Sequence, residues 1–460
     1  MVRAGEADQP PAGYSAEALV PTGAEEVIAA DAPAEHGRFP CFDGLRALAA
    51  LAVLLHHASI ATAYSLRGFE VPLSGGGRFG EYFAHMDAGV QVFFLISGFL
   101  LYRPFVAKNF ADVYPGLGRF FRHRFLRIYP AYWVAFIGIA LWVGIRMPIG
   151  GARSMTEYFF LVHLYDTTSV VTETGRPVWR ALGGISQSWT LVVEVSFYLF
   201  LPLYAAIIRR VGAGRLRATR FRIEAAGLVV LVLISVLWRA VAYWVVADGS
   251  SFEFLGPYWL PANLDLFAMG MGLAVLRVWS DTRPEPSPLL ERIGSFDWAW
   301  WLGAAVAFHV VTFGIGLSGR LELVYGGQAY LRQFLYGITA LCLLVPAVFG
   351  PQRRGVVRRG LQLAPVVYLG VISYGIYLWH QAFITVIHDG GFQGGVVDAT
   401  WADGWDANPL PNGPFLVHVL GAFVLTVIVA SASWFFVERP ILRRKDQPLF
   451  GRRSSEPADA

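Results

Sequence analysis

The 460-residue chain is 55% apolar and only 15% charged, with 34 Phe, 19 Tyr and 15 Trp, whereas an ordinary soluble domain is about 25% charged. So apolar a chain cannot present a water-compatible surface, which excludes a soluble globular enzyme, and its hydrophobicity excludes disorder for most of its length. Two cysteines, Cys41 and Cys342, exclude a disulfide framework or a Cys-rich metal site, and the net charge of +4 belongs to loops beside a membrane, not to nucleic-acid binding. Residues 1–42 are polar and acidic and are expected to form a disordered cytoplasmic tail. No basic segment followed by an apolar run opens the chain, so no cleavable signal peptide is expected. A membrane-crossing helix needs about 20 mostly apolar residues. Ten segments meet that need: 43–64, 83–105, 129–148, 189–208, 224–246, 259–279, 298–316, 329–349, 362–388 and 414–437. The stretch 157–166 is apolar but too short to cross, and reads as interfacial or re-entrant. With the N-terminus in the cytoplasm, most of the 37 Lys and Arg fall in cytoplasmic connections, as the positive-inside rule requires. The expected fold is an all-α polytopic membrane protein of about ten transmembrane helices with both termini cytoplasmic. It has one transmembrane domain over 43–438 and a basic cytoplasmic tail over 439–460.

Ionisable groups inside a bilayer are costly, so each is a functional candidate. The first span carries FDGLRALAALAVLLHHA over 42–58. Arg46 and His57 are eleven residues apart; at about 100° and 1.5 Å per residue they share one face, about 16 Å apart along the axis. Arg46 is expected near the cytoplasmic end, His57 near mid-membrane and His56 on another face, with Asp43 capping the helix and meeting Arg46 one turn on. This pattern fits either a buried imidazole at the end of a polar face or a packing histidine with a snorkelling arginine. In the second span, Ser97 and Gly98 are small residues that allow close helix approach. The stretch RFFRHRFLRIYPAYW, 119–133, reads as a basic, aromatic segment immediately cytoplasmic of the third span. It suits anionic lipid headgroups or the phosphates of a nucleotide-like donor. Glu194 lies inside the fourth span with no local partner, and Asp265 inside the sixth; each fits a functional carboxylate or an interhelical ion pair. His380, in ISYGIYLWHQAF of the ninth span, is either an aromatic-belt residue or part of a site. Glu438 and Arg439 read as a local ion pair where Pro440 turns the chain out of the last span. No phosphate-binding glycine loop, HExxH, serine elbow or metal-ligand cluster is present in the sequence.

Taken in order, FDGLRALAALAVLLHHA, VFFLISGFLL, RFFRHRFLRIYPAYW, SWTLVVEVSFYLFLPLY, SYGIYLWH and a closing VERP resemble the acyltransferase-3 family of integral-membrane O-acyltransferases, over about 42–440. The resemblance implies transfer of an acyl group, often acetyl, from acyl-CoA to a hydroxyl of a cell-surface glycan, a glycolipid or a macrolide-type compound. It implies a place in the plasma membrane among its lipids, acyl-CoA as co-substrate, no bound cofactor and no metal. The family's first-helix pair falls on Arg46 and His57, its basic residues on Arg119, Arg122 and Arg127, and its membrane glutamate on Glu194. Some members carry a C-terminal SGNH-type esterase domain, which this chain is expected to lack, and Ser196 stands where many have Gln. On this reading His57 is a base or a transient acyl carrier, Arg46 binds donor phosphate or orients the thioester, and the three arginines hold CoA. Glu194 orients His57, while Asp43, Ser97, Gly98, Asp265 and His380 support the site. The competing class is a polytopic transporter or flippase, which predicts helices broken by Gly or Pro in matching halves. A lipid-binding scaffold leaves the Arg46–His57 face unexplained. Acceptor, acyl length, side of transfer and oligomeric state are not legible in the sequence.

Overall fold

The structure is a computed structural model that describes residues 39–62, 77–111, 116–142, 151–171, 177–182, 185–246, 250–283, 285, 287–317, 326–388 and 413–445. The expected tail over 1–42 lies outside the described residues up to residue 38, and the C-terminal tail from residue 446 on. Helix α1 spans Cys41–Ala61, followed by α2 (Gly77–Ala84), α3 (Ala88–Ala111), α4 (Leu117–Trp142) and α5 (Gly151–Phe159). A short antiparallel pair, β1 (Ser169–Val171) and β2 (Pro177–Trp179), sets Ser169 against Trp179. Then come α6 (Trp189–Gly212), α7 (Arg217–Trp244), α8 (Ser251–Leu255), α9 (Leu260–Asp281), α10 (Pro288–Ser295) and α11 (Asp297–His309). The chain closes with α12 (Gly326–Val348), α13 (Val356–Leu361), α14 (Ala364–Val371), α15 (Ser373–His388), α16 (Gly413–Ser433) and α17 (Arg439–Arg443).

Among the described residues, eight helices are long and apolar enough to cross a membrane, and nine if α14 and α15, bent by 74° at their junction, count as one span. The protein is a multi-pass membrane protein. The expected span at 298–316 is α11 prolonged by a π turn over Val310–Gly314. The regular α-helix there, Asp297–His309, is 13 residues, shorter than the roughly 20 that a span needs. The segment 157–166 does not cross: α5 ends at Phe159, and a 3-10 turn over His163–Tyr165 follows.

The helices differ in how far they face lipid, with α7 and α16 the most exposed and α3 and α9 among the most buried. Helix α7 exposes Leu233 and Leu237, and α16 exposes Leu420, Val424 and Ile428. Outward apolar side chains of this kind match hydrocarbon. Helices α3 and α9 form the centre, with Leu95, Phe99, Phe267 and Met271 fully buried. Their backbones nearly touch. A Cβ on Gly98 would lie 2.3 Å from the Phe267 carbonyl oxygen, and one on Gly270 would lie 2.0 Å from that of Leu95. Only glycine permits such an approach, and in lipid, where no hydrophobic force drives helices together, close packing of this kind holds them.

Three local expectations are corrected. Asp43 is not the cap of α1: Pro40 occupies that position, and the Asp43 carboxylate, in the first turn, accepts from Arg46 at 2.8 Å instead. The stretch 119–133 is not a segment before a span but the first half of α4, which begins at Leu117. Pro440 does not turn the chain out, because α17 continues helically through it to Arg443. A proline near a helix start lacks only an N–H that would be unpaired there.

Candidate active site

Helix α1 presents its polar face to two cavities. The larger, about 350 Å³, is lined by His56 and His57 of α1, Asp87 and Gln91 around the start of α3, and Gln187 and Trp189 at the start of α6. Arg239 and Tyr243 of α7 and Arg332 and Gln333 of α12 close it. The smaller, about 120 Å³, is lined by Arg46, Ser97, Arg124, Arg127, Glu194 and Tyr198. Val90 of α3 and Tyr377 of α15 line both, so the two cavities meet at these side chains. The Tyr377 hydroxyl is held there by Thr190 Oγ1 at 2.8 Å and by the Gln187 carbonyl, to which it donates at 3.1 Å.

His57 lies four residues before the end of α1, nearer that end than mid-helix. Its Nδ1 is 2.9 Å from the Val53 carbonyl oxygen and 3.1 Å from His380 Nε2. His380 is fully buried between α1 and α15, and its Nδ1 lies 2.8 Å from the Tyr377 carbonyl and 3.2 Å from that of Ile376. His56 is buried, with Nδ1 3.2 Å from the Phe83 carbonyl. His56 and His57 both line the larger cavity, and His57 is the more exposed of the two, half-buried where His56 is buried.

In the smaller cavity Glu194 accepts from Ser97 Oγ at 3.0 Å and from the Tyr198 hydroxyl at 2.7 Å. Ser97 is therefore a donor to a carboxylate as well as a small packing residue. The Arg124 guanidinium lies over the Tyr198 ring at 6.0 Å. Arg127 lies over Tyr374 at 5.8 Å and faces Glu438 at 3.6 Å. Glu438 is buried against α4 and is not a boundary group paired to Arg439, whose guanidinium instead covers Phe435. Three cations thus surround one cavity that also holds a carboxylate.

The structure brings Arg46, Ser97, Glu194 and Arg127 together around one cavity and sets His57 at the edge of the other, with His380 buried behind it. It does not place Glu194 beside His57, because the Glu194 hydrogen bonds go to Ser97 and Tyr198 on the far side of the Val90–Tyr377 wall. Arg119 is exposed and lines neither cavity, and Arg122 donates to the Arg444 carbonyl at 2.9 Å. At about 100° per residue, Arg124 and Arg127 share a face of α4 that Arg119 and Arg122 do not. Reading 119–133 as helical would have found Arg124. Asp265 forms a buried ion pair with Arg239 at 3.0 Å and accepts from the Leu266 amide at 2.9 Å, so it braces the wall of the larger cavity without lining it. Gly98 acts through the α3–α9 contact alone. Gln187 and Arg332 carried no motif and were missed.

Outside the spans, His163 holds the entry to α6. Its Nε2 lies 3.0 Å from Ser188 Oγ, its ring stacks on Tyr158 at 4.0 Å, and burial lowers its pKa to about 3. Among the described residues no group of three or more His, Cys, Asp and Glu is placed to hold a metal ion.

A family model described as an acyltransferase domain matches residues 39–435. The chain belongs to this acyltransferase family. It is 24% identical over 437 residues to the putative peptidoglycan O-acetyltransferase YrhL of Bacillus subtilis, covering 91% of this chain and 57% of that protein. It is 26% identical over 425 residues to nodulation protein 10 of Rhizobium leguminosarum bv. viciae, covering 90% and 96%. The peptidoglycan O-acetyltransferase OatA of Listeria monocytogenes is 22% identical over 409 residues, covering 87% and 55%. The chain thus spans little more than half the length of YrhL and OatA and nearly all of nodulation protein 10. No solved structure matches it.

Proposed function

We propose that the protein is a plasma-membrane O-acyltransferase whose transferase unit is the membrane domain over 43–438. It moves an acyl group, acetyl in the first instance, from acyl-CoA to a hydroxyl of a carbohydrate, glycolipid or macrolide-type acceptor. The observation that carries this reading is the pair of cavities meeting at Val90 and Tyr377, one lined by Arg46, Arg124, Arg127 and Glu194 and the other by His57 with Arg239 and Arg332. With both termini cytoplasmic, the start of α1 faces the cytoplasm, so the Arg46 cavity opens toward the donor and the His57 cavity toward the acceptor. The names of YrhL and OatA support a glycan acceptor and an acetyl group.

The chemistry follows from the side chains. An alcohol attacking a thioester must lose a proton, and the sulfur that leaves must gain one. His57 Nε2 takes the hydroxyl proton as the oxygen–carbon bond forms, then returns it to the sulfur as the carbon–sulfur bond breaks, giving ester and thiol. Arg46, about 16 Å down the helix, is too far to touch the same carbonyl. With Arg124 and Arg127 it holds the anionic part of the donor. Glu194, anchored by Ser97 and Tyr198, sets the charge of the donor cavity and stands apart from the base.

The test is acyl transfer in membranes with matched protein levels. H57Q is expected to lose roughly 10²- to 10⁴-fold in rate, the usual worth of a general base. An undiminished rate removes His57 from the reaction. The transporter reading has one observation in its favour, the bend between α14 and α15, which among the described residues is the one such broken pair. Purified protein given acetyl-CoA and cell-surface glycan distinguishes them: a transferase releases free thiol, and a transporter releases none.

A further inference from the structure

We propose that His380 is the positioning residue for His57, a neutral imidazole doing inside the membrane what a carboxylate does for the histidine of a catalytic triad. This rests on the reading of His57 as the base. The argument is one of tautomers, and three carbonyl oxygens decide it. A carbonyl can only accept. His380 Nδ1 lies 2.8 Å from the Tyr377 carbonyl and 3.2 Å from that of Ile376, so Nδ1 must carry the proton; the reverse would press a lone pair against two others. With the proton on Nδ1, His380 Nε2 bears a lone pair and can only accept. Facing it at 3.1 Å is His57 Nδ1, which also lies 2.9 Å from the Val53 carbonyl. Both neighbours of that nitrogen are acceptors, so it too must be N–H, sharing one hydrogen between them. The His57 lone pair is thereby confined to Nε2, the nitrogen the reaction uses.

The chain runs Tyr377 carbonyl, His380, His57, and every link has one direction. Two consequences follow for the reaction. The correct tautomer of His57 is set before substrate arrives. When Nε2 takes the hydroxyl proton, the ring becomes a cation, and its Nδ1–H strengthens toward His380 Nε2, as hydrogen bonds to ionised groups do. A carboxylate in this place would be a standing charge far from water; an imidazole supplies the lone pair with no net charge. His380 is fully buried and does not border the cavity, so it acts through His57 and does not touch substrate. Its place on α15, three residues after Tyr377, ties the orientation of the base to the residue that separates the two cavities.

The experiment compares H380L, H380Q and H57Q in purified full-length protein, with thermal unfolding measured alongside. H380L, which fills space without accepting, is expected to lower kcat by about 10- to 100-fold, the worth of a hydrogen bond to a charged group, with KM for donor and acceptor unchanged. H380Q, whose amide carbonyl can accept from His57 Nδ1–H, should recover most of that loss. Nitrogen-15 NMR of histidine-labelled wild-type protein, assigned by the signal missing in H57Q, should show His57 as the Nδ1–H tautomer. An H380L enzyme with near wild-type kcat, an H380Q enzyme no better than H380L at equal stability, or a His57 ring protonated on Nε2 would each overturn the proposal. If H57Q itself stays active, the failure lies with His57 as the base. Loss in H57Q with none in H380L leaves that base standing and removes His380 alone.

Discussion

The two cavities differ in how their polar groups are held. Around the smaller one, Arg46 is met by Asp43 one turn before it, and Glu194 by Ser97 and by Tyr198 one turn after it. Around the larger one, partners come from distant helices: Arg239 of α7 meets Asp265 of α9, and His57 of α1 meets His380 of α15. The first cavity thus mixes one-turn neighbours with partners from other helices, Ser97 for Glu194 and Glu438 for Arg127, while the Arg239–Asp265 and His57–His380 pairs of the second come from long-range packing. The first should therefore respond to mutation mainly through ligand binding, and the second through stability and rate.

The sharpest way to break that contrast is at the wall of the larger cavity. Removing one partner of the buried Arg239–Asp265 pair leaves an uncompensated charge. D265N or R239L is expected to cost about 3–5 kcal/mol of stability, while replacing both by apolar residues recovers most of it. Thermal unfolding in detergent reads this, and equal stability of single and double variants would show that the pair does not brace the wall. Next in size is the donor side. R124A and R127A should each raise the donor KM about 10- to 100-fold, the worth of a charge-assisted hydrogen bond, while R119A changes it little. A shift in acceptor KM instead would reverse the assignment of the two cavities. The smallest effect concerns His163. Its folded pKa of about 3 lies below the ordinary 6.5, so the unfolded chain binds the proton first. Stability is then full above pH 6.5 and falls as pH drops toward 3. At pH 5.5 the loss is about 1.4 kcal/mol, and it should vanish in H163F. A pH-independent difference between the two proteins would count against burial as the cause.

The same contrast explains what the sequence disclosed. The helical class, the spans at α1, α3, α6, α7, α9, α12 and α16, and the Arg46–His57 face were legible because they rest on apolar runs and on helical spacing. Asp43 was found as the partner of Arg46 for the same reason. The α4 arginines were legible as a cluster but not individually, since the split between Arg119 with Arg122 and Arg124 with Arg127 depends on α4 starting at Leu117. His380 could be singled out as an intramembrane histidine, but nothing in ISYGIYLWHQAF says it meets His57, 323 residues away. Glu194 was assigned to His57 by analogy with triads, and the serine three residues into LISGF that holds it gave no local sign. Arg239 with Asp265 and the placement of Gln187 and Arg332 are properties of the packed bundle alone.

Helix α15 leaves the bend after α14 carrying Tyr374, Tyr377 and His380 at three-residue intervals, and these address, in turn, the arginine-lined cavity, the wall and the base. Each step is about 4.5 Å along the axis. One helix therefore fixes the spacing between the smaller cavity, the wall and His57. A single-residue insertion between Tyr374 and His380 would rotate the helix beyond it by about 100° and swing His380 away from His57.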